Sequence, residues 1–317
     1  MKVIDILKSY GRPFPSLEFV PPLKGSDINV LYQSLEPLME FNPPFVNITS
    51  HREEVVFTQT SDGSMAKRVI SKRPGTVAIA AAVMKRFPIE VVPHILCAGM
   101  TKYEIENQLI DLSFLDIQNV MALRGDGTGK HKEFIPKEGG YYHTNNLVEQ
   151  IRNLNEGRYL DENLENPIPT NFCIGVAGYP EKHFEAADME SDILNLKKKV
   201  DAGAEYIITQ MFFDNNYFYK FVENCRKAGI TVPIIPGLKP ISTIAHLEKL
   251  PQAFSLKIPF ELKKEMLKAK GNRDIFQLGI EWCAAQSKDL LANGAPAIHY
   301  YTMGKAKNIK EILKRVF

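Results

Sequence analysis

A chain of 317 residues, 44% hydrophobic and 24% charged, is long enough for one large α/β domain or two ordinary ones and has the balance of a soluble globular protein. A formal net charge of +2 gives no electrostatic footprint for nucleic acid, and no apolar run approaches the ~20 residues that a membrane-spanning helix needs. Cys97, Cys173, Cys225 and Cys283 are far apart with no C-x-x-C pair, which excludes a zinc ribbon or thioredoxin motif and suits free buried thiols in a reducing cytosol; with no signal-peptide core near Met1, the expected compartment is the cytoplasm.

Met1 to Ser9 has the spacing of a short amphipathic helix. A first strand follows from Ser16 to Val20 and must stop at Pro21-Pro22, because two prolines cannot continue a central ladder. Ser26-Asp27 can start a helix with Ile28, Leu31, Leu35, Leu38 and Met39 on its apolar face. The second strand, Phe45 to Ile48, ends in Thr49-Ser50-His51. Residues 52–74, including Ser61-Asp62-Gly63-Ser64, form a long polar segment expected to be a functional or mobile loop. Val77 to Phe87 is a helix and Glu90 to Ile95 a third strand. Thr101 to Glu104 has the form of a capping box, followed by Ile105, Leu109, Leu112 and Leu115 on one helical face.

Asn119 to Leu123 is the fourth strand, an apolar run that breaks into Arg124-Gly125-Asp126. Residues 127–145 are a second long loop. Leu147 to Leu154 is a helix, Phe172 to Val176 the fifth strand, and Asp188 to Ala202 a helix ended by Gly203. Tyr206 to Thr209 is the sixth strand, Phe218 to Ala228 a helix, and Val232 to Ile235 the seventh strand. Helices follow over Ser242 to Leu250, Phe260 to Lys268 and Phe276 to Asn293. Ala297 to Tyr301 is the eighth strand, and Ile309, Ile312, Leu313 and Val316 mark a last helix. Eight βα units without a composition break predict an α/β fold: a single (β/α)8 TIM barrel spanning 1–317, with extra helices before the eighth strand.

In a barrel, polar residues at the C-terminal ends of strands meet at one mouth. Here they are Glu18, Thr49, His94, Arg124, Asp126, Tyr179 and Gln210. Each alone is weak: a single strand-end His is more often a satisfied core residue than a catalyst, and a strand-end Glu is often structural. Seven at equivalent positions carry the reading. Glu18, between Leu17 and Phe19, is expected to have a raised pKa and to stay protonated as a general acid. Asp126, beside Arg124, is expected to stay ionised, unless the two simply pair at the rim. No G-x-G-x-x-G follows the first strand. Gly125 to Lys130 fails as a P-loop, since Arg124 and His131 stand where Gly and Ser or Thr are needed. No metal-ligand spacing appears, so no metal is expected.

Leu17-Glu18-Phe19-Val20-Pro21-Pro22, Ala122-Leu123-Arg124-Gly125-Asp126, Tyr179-Pro180-Glu181 with His183, Asp192 to Ala204, Ile208-Thr209-Gln210-Met211-Phe212-Phe213-Asp214 and Ile235-Pro236-Gly237-Leu238-Lys239-Pro240-Ile241 resemble, in order, the motifs of the methylenetetrahydrofolate reductase family. The resemblance runs from about residue 14 to about residue 310. It implies a barrel holding FAD, reduced by NADH or NADPH, that converts 5,10-methylenetetrahydrofolate to 5-methyltetrahydrofolate for methionine synthesis. By the match, Glu18 is the general acid that opens the folate ring, Asp126 lies near flavin and pterin, and Gln210 contacts the pterin. Thr49, His94, Leu123, Arg124, Gly125, Asp126, Ala177, Tyr179, His183, Asp192, Asn195, Lys198 and Lys199 fall where the family holds FAD, with Tyr301 and Lys305 on the folate side.

The pattern departs at Lys198 and Lys305, where bacterial members are expected to carry Arg, and over 52–74, which looks longer than in compact members. A homo-oligomer is expected, without the C-terminal regulatory domain of eukaryotic members. The competing readings are a non-catalytic flavin- or folate-binding barrel subunit, which would need no general acid, and a Schiff-base lyase, disfavoured because no Lys ends any of the first six strands.

Overall fold

The structure is a computed structural model that describes residues 1–127, 133–304 and 306–317. Its elements in chain order are α1 (Val3–Ser9), β1 (Phe14–Phe19), α2 (Asn29–Leu35) running into a 3-10 turn (Glu36–Phe41), β2 (Phe45–Ile48), β3 (Glu54–Gln59), β4 (Met65–Ile70), α3 (Thr76–Arg86), β5 (Glu90–Leu96), α4 (Lys102–Phe114) and β6 (Asn119–Leu123). They continue as α5 (Thr144–Asn155), β7 (Cys173–Gly178), α6 (Met189–Asp201), β8 (Tyr206–Met211), α7 (Asn215–Lys227), β9 (Ile234–Leu238), α8 (His246–Phe254), α9 (Phe260–Lys268), α10 (Asn272–Ala292), β10 (Ala297–Tyr301) and α11 (Ala306–Val316).

Eight parallel strands close into a barrel in the order β1-β10-β9-β8-β7-β6-β5-β2. The period of two along each strand divides the side chains between two layers. Leu17 and Phe19 of β1 join the layer between sheet and helices, with Leu31, Leu35 and Leu109 among its members. Phe14 of the same strand joins Phe45, Val92, Met121, Tyr206, Ile208 and Ile235 in the barrel interior. The parity that sends Leu17 and Phe19 outward sends Ser16 and Glu18 inward. Helix α1 closes the N-terminal end of the barrel with Val3 and Ile6. Asn119 fixes it there: its side-chain oxygen accepts from the Val3 N–H at 2.8 Å and its amide donates to the Met1 carbonyl at 3.0 Å. The opposite end, where the chain leaves every strand, is left for chemistry.

The predicted alternation holds, with the extra helices α8 to α10 before β10, and the capping box at Thr101 and Glu104 is present. Several boundaries move. β9 runs through Pro236 and Gly237 to Leu238 rather than over Val232 to Ile235. Helix α2 starts at Asn29 rather than Ser26-Asp27, because the Asp27 carboxylate accepts from the Asn29 N–H and holds a turn there. Helix α7 begins at Asn215, three residues before the expected Phe218, with Asp214 as its cap. All four cysteines are free and buried. Among the described residues no helix is long and apolar enough to cross a membrane.

The segment 52–74, expected as a loop, is instead an antiparallel hairpin of β3 and β4. Its turn is set by Asp62, whose carboxylate accepts from the Ser64 N–H and hydroxyl, and by Gly63 at φ +85°. The Thr60 N–H donates to the Ser64 carbonyl at 2.8 Å, and the Gly63 N–H donates back to the Thr60 carbonyl. Both feet of the hairpin are tied to the barrel mouth. Arg52 donates to the Gly127 carbonyl after β6, Arg73 to the Pro21 carbonyl after β1, and the Lys24 N–H to the Lys72 carbonyl.

Candidate active site

Strand register places Glu18 level with Tyr301 on one side and Asn47 on the other. The Glu18 carboxylate is 3.6 Å from His94 Nε2 and 3.8 Å from His299 Nε2, and its side chain is only 14% exposed. Ser16, two residues earlier on the same inward face, has its Oγ 2.8 Å from His299 Nδ1. With Nε2–H turned toward the carboxylate, Nδ1 accepts the Ser16 hydroxyl, so the contacts define a line from Ser16 through His299 to Glu18. Asn47 is fully buried, and neither polar atom of its amide has a hydrogen-bond partner. The amide is in register with the Glu18 carboxyl but has no accessible surface of its own.

The charge state of Glu18 differs from the sequence expectation. Burial, the largest single influence, pushes its pKa up, but the His299 hydrogen bond and the charges of His94, His299 and His51 together bring it below the ordinary carboxylate value. His94 is pushed down to about 4, chiefly by burial. At neutral pH His94 is therefore uncharged and cannot be what holds Glu18 ionised; the His299 ring, 3.8 Å away, does that. Glu18 rests as a carboxylate, not as the protonated acid that its apolar sequence neighbours suggested. Those neighbours, Leu17 and Phe19, face away from it into the outer layer.

A second cluster lies beyond β6 and β7. Tyr179 and His183 stack edge-to-face with ring centres 4.7 Å apart. The His183 N–H donates to the Asp192 carboxylate at 2.9 Å, and Lys199, one face of α6 further on, donates to the Ala177 carbonyl at 2.6 Å. Burial lowers the Lys199 pKa to about 8 and raises that of Asp192, while Asp192 favours the Lys199 charge. Arg124 pairs with Glu185 at 2.5 Å and lies 4.7 Å over the Phe134 ring. That pairing replaces the rim pair of Arg124 with Asp126 considered from sequence. Gly125 has φ +83°, and a Cβ there would stand 2.7 Å from the Ala98 Cβ. The loop therefore needs glycine to lie against the exit of β5, where the Ala98 N–H donates to the Arg124 carbonyl.

Most of the residues singled out from sequence meet at this mouth. Glu18, His94 and Tyr301 line one side. Leu123, Arg124, Gly125, Ala177, Tyr179, His183, Asp192 and Lys199 line the other. Thr49 lies between, its N–H on the Phe19 carbonyl and its hydroxyl 3.1 Å from His51 Nε2. Asp126 is exposed just past Gly125. Gln210 sits at an irregularity of the β8–β9 pairing, its side-chain oxygen accepting from the Met211 N–H. The Tyr301 hydroxyl reaches over Gly237 of β9 to donate to the Thr209 carbonyl at 2.7 Å. Asn195 and Lys198 are exposed and bond each other at 3.3 Å rather than joining the Asp192–His183 contact. Lys305, and 128–132 of the glycine-rich run, lie outside the described residues. Ser16, Asn47, His299 and Glu185 were missed. The first three carried a signal, a polar residue inside an apolar strand at the inward parity.

The family model for methylenetetrahydrofolate reductase matches residues 2–316. The chain is 33% identical over 326 residues to methylenetetrahydrofolate reductase (NADH) 1 of Arabidopsis thaliana, covering 99% of this chain and 50% of that one. It is 33% identical to a probable methylenetetrahydrofolate reductase (NADPH) of Caenorhabditis elegans, over 98% of this chain and 43% of that one. The chain thus spans about half the length of such relatives. Against 5,10-methylenetetrahydrofolate reductase of Escherichia coli the identity is 29%, over 94% of this chain and 88% of the other. Among solved structures, a Clostridium thermocellum protein that binds two copies of 5-methyl-5,6,7,8-tetrahydrofolic acid superposes with a TM-score of 0.59 at 13% identity, over 98% of this chain and 97% of that one. At that identity the likeness is one of fold.

Proposed function

The chain belongs to the methylenetetrahydrofolate reductase family, and from that premise we propose that it reduces 5,10-methylenetetrahydrofolate to 5-methyltetrahydrofolate, with FAD as cofactor and NADH as donor, in the supply of methyl groups for methionine. The observation that carries this reading is the Ser16–His299–Glu18 line, whose carboxyl alone keeps a partly exposed face at the mouth. A carboxyl that can take up and give back a proton is what a folate ring opening requires. Relatives named for NADH and for NADPH stand at the same 33% identity, and the choice of NADH follows the resemblance to short bacterial members.

The second cluster suits FAD. Lys199 and Arg124 supply positive charge for a pyrophosphate, and Tyr179 and His183 supply aromatic faces. Asp192 orients the loop through the His183 N–H. When bound, FAD supplies a two-electron carrier between nicotinamide and folate.

This chain's own residues handle the proton and the pterin. A pterin that covers the remaining exposed part of Glu18 removes water, favours the neutral carboxyl and so draws a proton into the site. Glu18 then delivers that proton to the folate nitrogen whose bond to the methylene carbon breaks, and the carboxylate left behind is again stabilised by His299. Gln210 presents its amide to the pterin, and Tyr301, held over β9 by the Thr209 carbonyl, fixes the face on which it lies. Asp126, at the exposed end of the same loop, sets the charge beside the bound cofactor.

Purified protein is expected to be yellow, to bleach with NADH in the absence of oxygen, and to regain its colour with 5,10-methylenetetrahydrofolate while 5-methyltetrahydrofolate forms. Colour that does not bleach would replace this reading with that of a non-catalytic binding barrel.

A further inference from the structure

Glu181, the third residue of the Tyr179-Pro180-Glu181 motif, has no task in the proposed reaction, yet it bonds to a distant part of the chain. Its Oε2 accepts from the Lys257 N–H at 2.9 Å. Lys257 lies between α8 and α9, in the stretch that follows β9. Because β8 stands between β7 and β9 in the barrel, this bond spans the exit of β8, which ends in Gln210 and Met211. Leu256, next to Lys257, is buried with Met211, Phe213 and Ile241 at the same place. The Lys257 ammonium lies 5.6 Å over the ring of Tyr217 in α7, and the charge of Asp214, the cap of α7, acts on Glu181.

Two further observations mark a loop that needs holding. Lys182 has φ +79°, in the left-handed region that side chains other than glycine rarely adopt. Its N–H closes a turn on the Tyr179 carbonyl at 3.1 Å, and its Nζ folds back onto the carbonyls of His183 and Ala186. Such a conformation persists only where the surroundings impose it. The second observation is the other Glu181 oxygen, Oε1, which is buried and has no hydrogen-bond partner among the described residues. Burial, with the Asp214 charge in support, pushes the Glu181 pKa up to about 7, against the Lys257 N–H and the Lys257 charge. The closed arrangement therefore favours the neutral carboxyl.

We propose that Glu181 is a positioning residue, a clasp that holds the β7–α6 loop across the exit of β8 and so keeps Tyr179 and His183 in place. The clasp is under proton control. An ionised Glu181 keeps a buried oxygen without a donor and faces Asp214, and release into water relieves both. The sign follows from the raised pKa: the hold is full with Glu181 protonated and is lost as pH rises through about 7.

Amide hydrogen exchange reads the clasp directly. In the wild-type protein, protection of the Lys257 N–H, corrected for the intrinsic exchange rate, is expected to fall as pH rises from about 6 to about 8. Glu181→Gln keeps an acceptor and has no proton to lose, so protection is expected to persist over the same range. Glu181→Leu has no acceptor and is expected to leave Lys257 unprotected throughout. The functional consequence rests on the proposed role of Tyr179 and His183 toward FAD: Glu181→Leu is expected to bind FAD about 3–10-fold more weakly, and Glu181→Gln to restore the affinity. A flat wild-type profile, a Leu variant that keeps its Lys257 protection, or a Gln variant as unprotected as Leu would each overturn the clasp. Unchanged FAD affinity in a Leu variant that has lost the protection would overturn its positioning role. A wild-type protein that takes up no FAD would instead contradict the cofactor reading, and the exchange profile would still decide the clasp.

Discussion

Glu18 and His94 are neighbours whose pKa values are both depressed, for opposite reasons. His94 is lowered by burial, which disfavours its charged form; Glu18 is lowered by His299, which favours its charged form. The signs for stability follow by linkage. Between pH 6.5 and about 4 the unfolded chain protonates His94 and the folded chain does not, so stability is full above 6.5 and falls as the pH drops toward 4. Urea midpoints measured over that range should show the loss in wild type, and His94→Gln should flatten it, by up to about 3 kcal/mol. The Glu18 contribution is lost lower, as pH falls through its depressed value. Ser16→Ala loosens the His299 ring and weakens the contact that favours the ionised form of Glu18. The pH profile of folate-dependent flavin reoxidation should therefore move upward in that variant while flavin reduction by NADH keeps its own profile. An unmoved profile would show that Ser16 only fills space.

Among the elements, α1 is a short helix with a specific task, closing the barrel end away from the chemistry. Its attachment runs through the fully buried Asn119. Asn119→Ala leaves the Val3 N–H without its acceptor and is expected to cost about 1–3 kcal/mol in a urea titration, with cofactor content unchanged. Loss of the cofactor along with the stability would mean that the two ends of the barrel are coupled. The strands and long helices were legible in the sequence because burial on both faces makes apolar runs and burial on one face makes a helical stripe. The hairpin was not, although Asp62-Gly63 between two β-branched stretches is a turn signal. Exposure of one entire face and of both edges removed the buried alternation that normally marks a strand. The site was half legible for a related reason. Residues at strand ends announce themselves by interrupting an apolar run, whereas Ser16, Asn47 and His299 sit inside strands and are recognised only once inward and outward parity is fixed. The charge of Glu18 was misjudged for the same cause: sequence neighbours in a strand point to the opposite face.

Over the whole molecule, closing the sheet brings residues from all parts of the chain to one mouth: the Ser16–His299–Glu18 line on the β1–β10 side and a charged, aromatic cluster on the β6–β7 side. The division of labour makes separable predictions. Lys199→Met removes a half-buried charge from the second cluster and is expected to lower the fraction of protein purified with FAD while leaving the fold intact; an unchanged flavin content would take Lys199 out of the cofactor site. The most direct test of the account is Glu18→Gln, which keeps shape and removes the transferable proton, followed by rapid mixing under anaerobic conditions. Flavin reduction by NADH should stay near the wild-type rate, and reoxidation by 5,10-methylenetetrahydrofolate should fall by about 10²–10⁴-fold. Near-normal folate-dependent reoxidation, or an equal loss in both half-reactions, would contradict it.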